Sequence, residues 1–222
     1  MHVWSSGEAA RELGLSGRRV RALAQAGRLK ARKVGSRWLL EAVSVRQARS
    51  GRPLSAASAW ALLAILSGER PDWIHPSASS RLKRWLRNPA WVVTSLQSAA
   101  VRASVTRLRA LPSDIPKILH KAGLVLTGPS AVTDEIDLVP SSGEIDAYVT
   151  NDVLRMIERQ FRPSRDSDQP NLTLRVPSQG WILQFRRAPV AVVGADLLLS
   201  PDSRASRAGR ETLQRILRDR NT

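Results

Sequence analysis

Residues 9–38 read AARELGLSGRRVRALAQAGRLKARKVGSRW, and this stretch decides how the front of the chain folds. Just upstream, Ser5-Ser6-Gly7-Glu8 has the Ser-x-x-Glu spacing of a capping box, which satisfies orphan amides at the start of a helix. That helix is expected to run to about Leu13, where Gly14 stops it. Ser16 is a good N-cap for a second helix, whose apolar positions Val20, Leu23 and Ala24 fall on one stripe before Gly27 ends it. Two short helices joined by a three-residue turn result.

With Val20, Leu23 and Ala24 facing inward, a rotation of 100° per residue turns Arg18, Arg21 and Gln25 outward and leaves Arg19 on the flank. That outer face is made of side chains that read phosphates and guanine edges. After Gly27, residues 28–40 alternate basic and apolar side chains around Gly35-Ser36, the pattern of a two-stranded hairpin with Lys33 and Arg37 near its tip.

Charge agrees with this placement. The 222 residues carry a formal net charge of +16, unevenly spread. Residues 1–53 hold 12 Lys and Arg against 3 Asp and Glu, residues 54–118 hold 9 against 3, and residues 119–222 hold 14 against 13. A solubility device would be spread evenly, so the N-terminal half is expected to meet a polyanion and the C-terminal half to do something else. With 42% hydrophobic residues the chain can bury a real core. No cysteine is present, and His2, His75 and His120 are scattered, so neither a disulfide nor a metal site is expected, nor any cofactor. The longest apolar run, 56–66, is about half a bilayer span, and no charged leader precedes an apolar run. The expectation is a soluble, cytoplasmic protein without a membrane partner.

Residues 47–53 (QARSGRP) are polar with Gly and Pro and mark a domain boundary. Ser55 is placed to cap a helix through Trp60 and Leu66 that is apolar nearly all round and so central to a core. A second helix, 79–87, puts Leu82, Trp85 and Leu86 on one side and Arg81, Lys83, Arg84 and Arg87 mainly on the other; phosphate contact and plain solvation both fit that basic face. Trp38, Trp60, Trp85 and Trp91 sit among apolar neighbours, which core packing explains better than base stacking does.

From about Asp114 the composition becomes charge-balanced. Residues 114–121 read as a helix, 124–127 and 135–139 as apolar runs, 144–150 as a strand and 151–161 as an amphipathic helix. After a turn-rich loop, 162–169, a strand pair is expected at 171–176 and 181–184, then helices at 189–199 and 202–220. The class is α+β: a helix-turn-helix with its hairpin at 1–48, a helical middle segment at 49–112 and a mixed α/β domain at 113–222.

One catalytic pattern has to be weighed. Glu135-Ile136-Asp137 and Glu144-Ile145-Asp146 each place two carboxylates on one face of a strand, as metal-dependent nucleotidyltransferases do to hold magnesium, and Gly128-Pro129-Ser130 lies upstream. Solvent-facing strand acids explain the same pattern, and no other catalytic set emerges, so the expectation is a non-enzyme.

The order A-A-x-x-L-G-L-S-x-x-x-V-x-x-L-x-x-x-G-x-L-x-A-x-x-x-G-x-R-W resembles the winged helix-turn-helix of the excisionase and MerR-like families. The resemblance implies that the second helix enters the DNA major groove and the wing lies along the backbone or minor groove. Its site would be Ser16, Arg18, Arg19, Arg21 and Gln25 on the helix and Lys33 and Arg37 on the wing. A solvated basic hairpin without a ligand and an RNA partner are the alternatives; the deep, narrow groove of A-form RNA suits a rigid helix less well.

The segment APVAVVGADLLLSPDSRASRAGRETL (188–213) is similar to the C-terminal region of AbiEi-type antitoxins, and LVLTGPSAV (124–132) and EIDAYV (144–149) also look like that family. The resemblance implies a DNA-binding antitoxin that represses its own operon and counters a neighbouring nucleotidyltransferase-type toxin. A transcription factor or phage-type architectural protein with a ligand-sensing or dimerisation domain is the second reading. The oligomeric state stays open.

Overall fold

Ser5 opens the first helix by the reciprocal capping its spacing requires. The Ser5 amide donates to the Glu8 carboxylate at 2.7 Å, and the Glu8 amide donates to the Ser5 hydroxyl at 3.3 Å. A computed structural model describes residues 3–13, 16–26, 29–35, 37–41, 54–99, 101–133, 136, 138, 143–165 and 167–221. The chain forms two compact units, Met1–Pro53 and Leu54–Thr222, and is mixed α+β.

In the first unit, α1 (Ser6–Leu13) and α2 (Gly17–Gln25) pack on a three-stranded antiparallel sheet of β1 (Val3–Ser5), β2 (Ala31–Val34) and β3 (Arg37–Glu41), in the order β1-β3-β2. Ser16 caps α2, its hydroxyl accepting from the Arg19 amide at 3.3 Å. Val20 is fully buried with Ala9, Leu29 and Leu40, and Leu23, Trp4 and Trp38 pack around them. Gly35 takes φ +59° in the two-residue loop between β2 and β3, a left-handed conformation that glycine adopts without steric cost. The three-residue strand β1 has no sequence signature; it is held by its register with β3, Val3 opposite Glu41.

The second unit is built on a four-stranded sheet in the order β4-β7-β6-β5, formed by β4 (Ala103–Leu108), β5 (Val125–Leu126), β6 (Ile145–Tyr148) and β7 (Leu172–Pro177). The β4–β7 and β5–β6 pairs are antiparallel and β6–β7 is parallel. A parallel pair needs a crossover, and the amphipathic helix Asn151–Phe161 lies in the connection. Ile145 and Ala147 of β6 stand beside Leu172 and Leu174 of β7 on one face, closed by Ile115, Ile118 and Ile157.

The opposite face carries Tyr148 and meets the main helical core: α3 (Ala56–Leu66), α4 (Pro76–Trp85), α5 (Pro89–Gln97), and, after α6 (Ile115–Leu119) and α7 (Asn151–Phe161), α8 (Val190–Leu198) and α9 (Ser203–Asn221). Ser55 caps α3 as expected, and eight consecutive α3 side chains or backbones, 59–66, are buried. No helix among the described residues is long and apolar enough to cross a membrane.

Three expectations are corrected. The segment 49–112 is helical only as far as Gln97: after α3, α4 and α5, residues 103–108 form an edge strand of the C-terminal sheet, and the units divide after Pro53. Its Ala-Ser-Val-Thr-Arg-Leu carries β-branched Val105 and Thr106, and it buries Ala103 and Leu108 on opposite faces. Residues 181–184 are not a strand but part of the 3-10 turn Gly180–Gln184, because Ile182 drops into the helical core and Trp181 packs between Trp60, Trp73 and Phe185. Helix α4 starts at Pro76, capped by His75, and Trp85 lies at its edge, 39% exposed and 4.5 Å from the Trp91 ring.

Helices α8 and α9 cross so closely that Gly209 is obligatory. A Cβ there would lie 2.4 Å from the Leu198 nitrogen and 2.5 Å from the Gly194 carbonyl oxygen, backbone that cannot swing aside. Alanine in place of a helix-interior glycine normally gains about 0.5–1 kcal/mol. Here overpacking wins, and Gly209→Ala is expected to lower stability by about 1–3 kcal/mol in urea denaturation. A gain at this position would show that the crossing is looser than described.

Candidate nucleic-acid interface

The burial of Val20 and Ala24 fixes the rotation of α2, and with it the outward face. Arg18, Arg19, Arg21 and Gln25 are all exposed. Ser16 is exposed at the start of the same helix; its oxygen accepts from the Arg19 amide while its O–H remains able to donate outward. The seven residues assigned from sequence therefore lie on one helix and the adjoining hairpin.

The hairpin separates its two assigned cations. Lys33 stands opposite Trp38 and Arg37 opposite Val34, so the alternation of strand side chains puts them on different faces. Lys33 shares its face with Ala31, Trp38 and Leu40, the side that covers the unit's core, and emerges beyond it near the turn. Arg37 shares the other face with Arg32, which stands opposite Leu39 and is also exposed. Sequence reasoning passed over Arg32; the basic-apolar alternation of residues 30–34 already contained it.

Arg18, Arg19, Arg21, Arg32, Lys33 and Arg37 have no ion pair or side-chain hydrogen bond among the described residues. An exposed surface with both signs would pair at least some of them. Six unpartnered cations lie on one helix and on the two faces of one hairpin, in a stretch of 53 residues with three acids, an excess of positive charge that attracts polyanions. Gly14, Leu15, Gly27, Arg28 and Ser36, which shaped the sequence reading, lie outside the described residues, as does 42–53.

The carboxylates of the second unit are arranged differently. Glu135 and Asp137 lie outside the described residues. Asp146 is clamped by Arg175, whose Nε and Nη2 donate to its two oxygens at 2.5 and 2.7 Å. Burial pushes the Asp146 carboxyl above its usual range, while the Arg175 hydrogen bonds and charge pull the other way. Burial also works against the charge of Arg175, but Asp146 and Asp196 outweigh it and move its pKa further up.

The Gly128-Pro129-Ser130 turn, part of the 3-10 segment Gly128–Ala131, closes onto this pair. The Ser130 hydroxyl accepts from the Asp146 amide at 2.8 Å and donates to the Glu144 carbonyl at 3.2 Å. Gly128, at φ +51°, leaves room for the Asp146 carboxylate, which a Cβ would meet at 2.6 Å. The turn and the acid that follow a nucleotidyltransferase pattern in sequence are thus engaged with each other and with Arg175. Among the described residues no group of three or more His, Asp or Glu is placed to hold a metal ion.

A second buried charge lies nearby. Asp196, 3% exposed, accepts from Arg102 Nη2 at 2.8 Å, from the Thr127 hydroxyl at 2.6 Å and from the Tyr148 hydroxyl, 2.8 Å from its Oδ2. Arg102 lies over the Trp60 ring, and the Trp60 indole donates to the Arg102 carbonyl at 2.9 Å. Sequence reasoning missed this cluster. Compared with protein-family models, with curated proteins and with solved structures, the chain matches none.

Proposed function

We propose that the chain is a DNA-binding antitoxin that represses its own operon, acting by binding rather than by catalysis in the cytoplasm. The first unit is a winged helix-turn-helix that lays α2 in the major groove of its promoter and runs the β2–β3 hairpin along the backbone. The second unit engages the neighbouring nucleotidyltransferase-type toxin.

The observation that carries the DNA part is the set of unpartnered cations on α2 and the hairpin, in the segment where the chain concentrates its charge. Phosphate contacts would set register and orientation, and Arg18, Arg21 and Gln25 would reach base edges. The antitoxin part is supported by the resemblance of residues 124–132, 144–149 and 188–213 and by the change to balanced charge after residue 118.

Two measurements test the reading together. Full-length protein is expected to shift a fragment carrying its own promoter, with an affinity that falls steeply as salt rises. Co-expression with the adjacent reading frame is expected to restore growth that this frame alone arrests, and a pull-down to recover both chains. A promoter that is not shifted would remove the regulator, and arrest unrelieved by the chain would remove the antitoxin.

A further inference from the structure

We infer that the second unit carries its own phosphate-contacting surface: the outer face of α4 with Arg87 just past its end. Leu82 and Leu86 are buried, which fixes the rotation of the helix. Arg81, Lys83, Arg84 and Arg87 then fill the exposed arc, and all four are exposed. Their side chains make no ion pair or hydrogen bond among the described residues.

Several other cations of the unit are matched, Arg102 with Asp196, Arg175 with Asp146 and Arg165 with Glu158, whereas none of the four on this face is. Around α4 no matching is possible in sequence, because no Asp or Glu occurs between Asp72 and Asp114. Arg81 and Arg84, and Arg84 and Arg87, are spaced three apart, where like charges repel along a helix. An external polyanion relieves that repulsion.

The arrangement fits a nucleic-acid backbone better than an acidic protein. At a rise of about 1.5 Å per residue, Arg81 to Arg87 spans about 9 Å of axis, comparable to two or three phosphate steps on one strand. Three of the four cations are arginines, whose planar fork takes phosphate oxygens in pairs. The same chain also holds the α2 surface, and two phosphate-contacting surfaces on one chain bind a common polyanion with a gain from effective concentration. The choice of a duplex rests on the function proposed above; the phosphate-contacting surface itself does not.

The test uses the full chain and a duplex of arbitrary sequence, with affinity measured by fluorescence anisotropy over a salt series. Each phosphate contact contributes about 0.9 to the slope of log affinity against log salt. The variant R81Q/K83Q/R84Q/R87Q is expected to flatten that slope by roughly 2–3. In an R18E/R21E background, residual salt-sensitive binding is expected to survive and to disappear when the four substitutions are added. Should the quadruple variant fail to fold, the pairs R81Q/R84Q and K83Q/R87Q are each expected to remove about half of the effect.

An unchanged slope in both backgrounds overturns the inference. So does a quadruple variant that keeps its duplex slope but loses binding to polyglutamate, which assigns the face to an acidic protein. Duplex binding that is indifferent to R18E/R21E but abolished by the α4 variant supports the inference while removing the α2 reading.

Discussion

Reversing two charges, Arg18→Glu with Arg21→Glu, is expected to weaken promoter binding by about 3–6 kcal/mol, roughly two to four powers of ten, while leaving the fold intact. Each arginine lost removes a charge-assisted contact worth about 1.5–3 kcal/mol, and each glutamate adds repulsion against the same phosphates. Both side chains are exposed and unpartnered, so nothing within the protein is broken. Glutamate in the first turn of α2 is in fact favourable to the helix dipole, and Arg18 and Arg21 are like charges three apart.

Thermal unfolding should therefore shift within the small range of ordinary surface substitutions, about 0.5 kcal/mol either way. Arg11→Glu, on the exposed side of α1, is matched in net charge to the single variant Arg18→Glu and should cost far less affinity than it. Anisotropy titration at two salt concentrations separates the cases. Equal losses for Arg11→Glu and Arg18→Glu would mean that only overall charge matters and that α2 is not the reading helix.

What the sequence made legible follows the range of the interactions. The capping box at Ser5, the Ser16 cap and the Gly35 turn are each settled within three residues, and all three appear where the spacing put them. The rotation of α2 was legible for the same reason, because an apolar stripe determines which arginines face out. Helix α7 was found to its ends because its apolar positions repeat strictly and Thr150 caps it.

Strand β4 was missed because its evidence lies elsewhere in the chain. Its partner β7 is about seventy residues away, and as an edge strand its polar Ser104 and Arg107 are exposed. The 3-10 turn at Trp181 carries a short apolar run that a strand shares, and only the aromatic cluster of Trp60, Trp73 and Phe185 decides between them. The Asp196 cluster is the extreme case: its partners lie 94, 69 and 48 residues upstream, and no local pattern marks an aspartate in an apolar helix as their common acceptor.

That cluster carries the largest stability effect expected in the second unit. Asp196→Ala leaves the guanidinium of Arg102, 6% exposed, without its counter-charge and strands the hydroxyls of Thr127 and Tyr148. Breaking a buried pair from one side costs about 3–5 kcal/mol. Arg102 has no reserve, since its Nη1 already lacks a partner. Tyr148→Phe removes only one donor and should cost about 0.5–1.5 kcal/mol. Replacing Arg102 and Asp196 together by leucine should recover much of the loss, because no isolated charge remains. Urea denaturation followed by tryptophan fluorescence reads all three, since Trp60 lies beneath Arg102 and 5.4 Å from the Tyr148 ring.

The same cluster fixes an alkaline limit. Burial first, and then the charge of Asp196, push the Tyr148 phenol well above its ordinary value near 10. The folded state therefore holds this proton more tightly than the unfolded chain does, and stability must fall as pH rises past about 10. Tyr148 is the only tyrosine, so tyrosinate absorbance reports this one group and should appear together with unfolding, not before it. A phenol that titrates near 10 in the folded protein, or an Asp196→Ala variant within about 1 kcal/mol of the parent, would mean that Asp196 is not the shared acceptor on which this core closes.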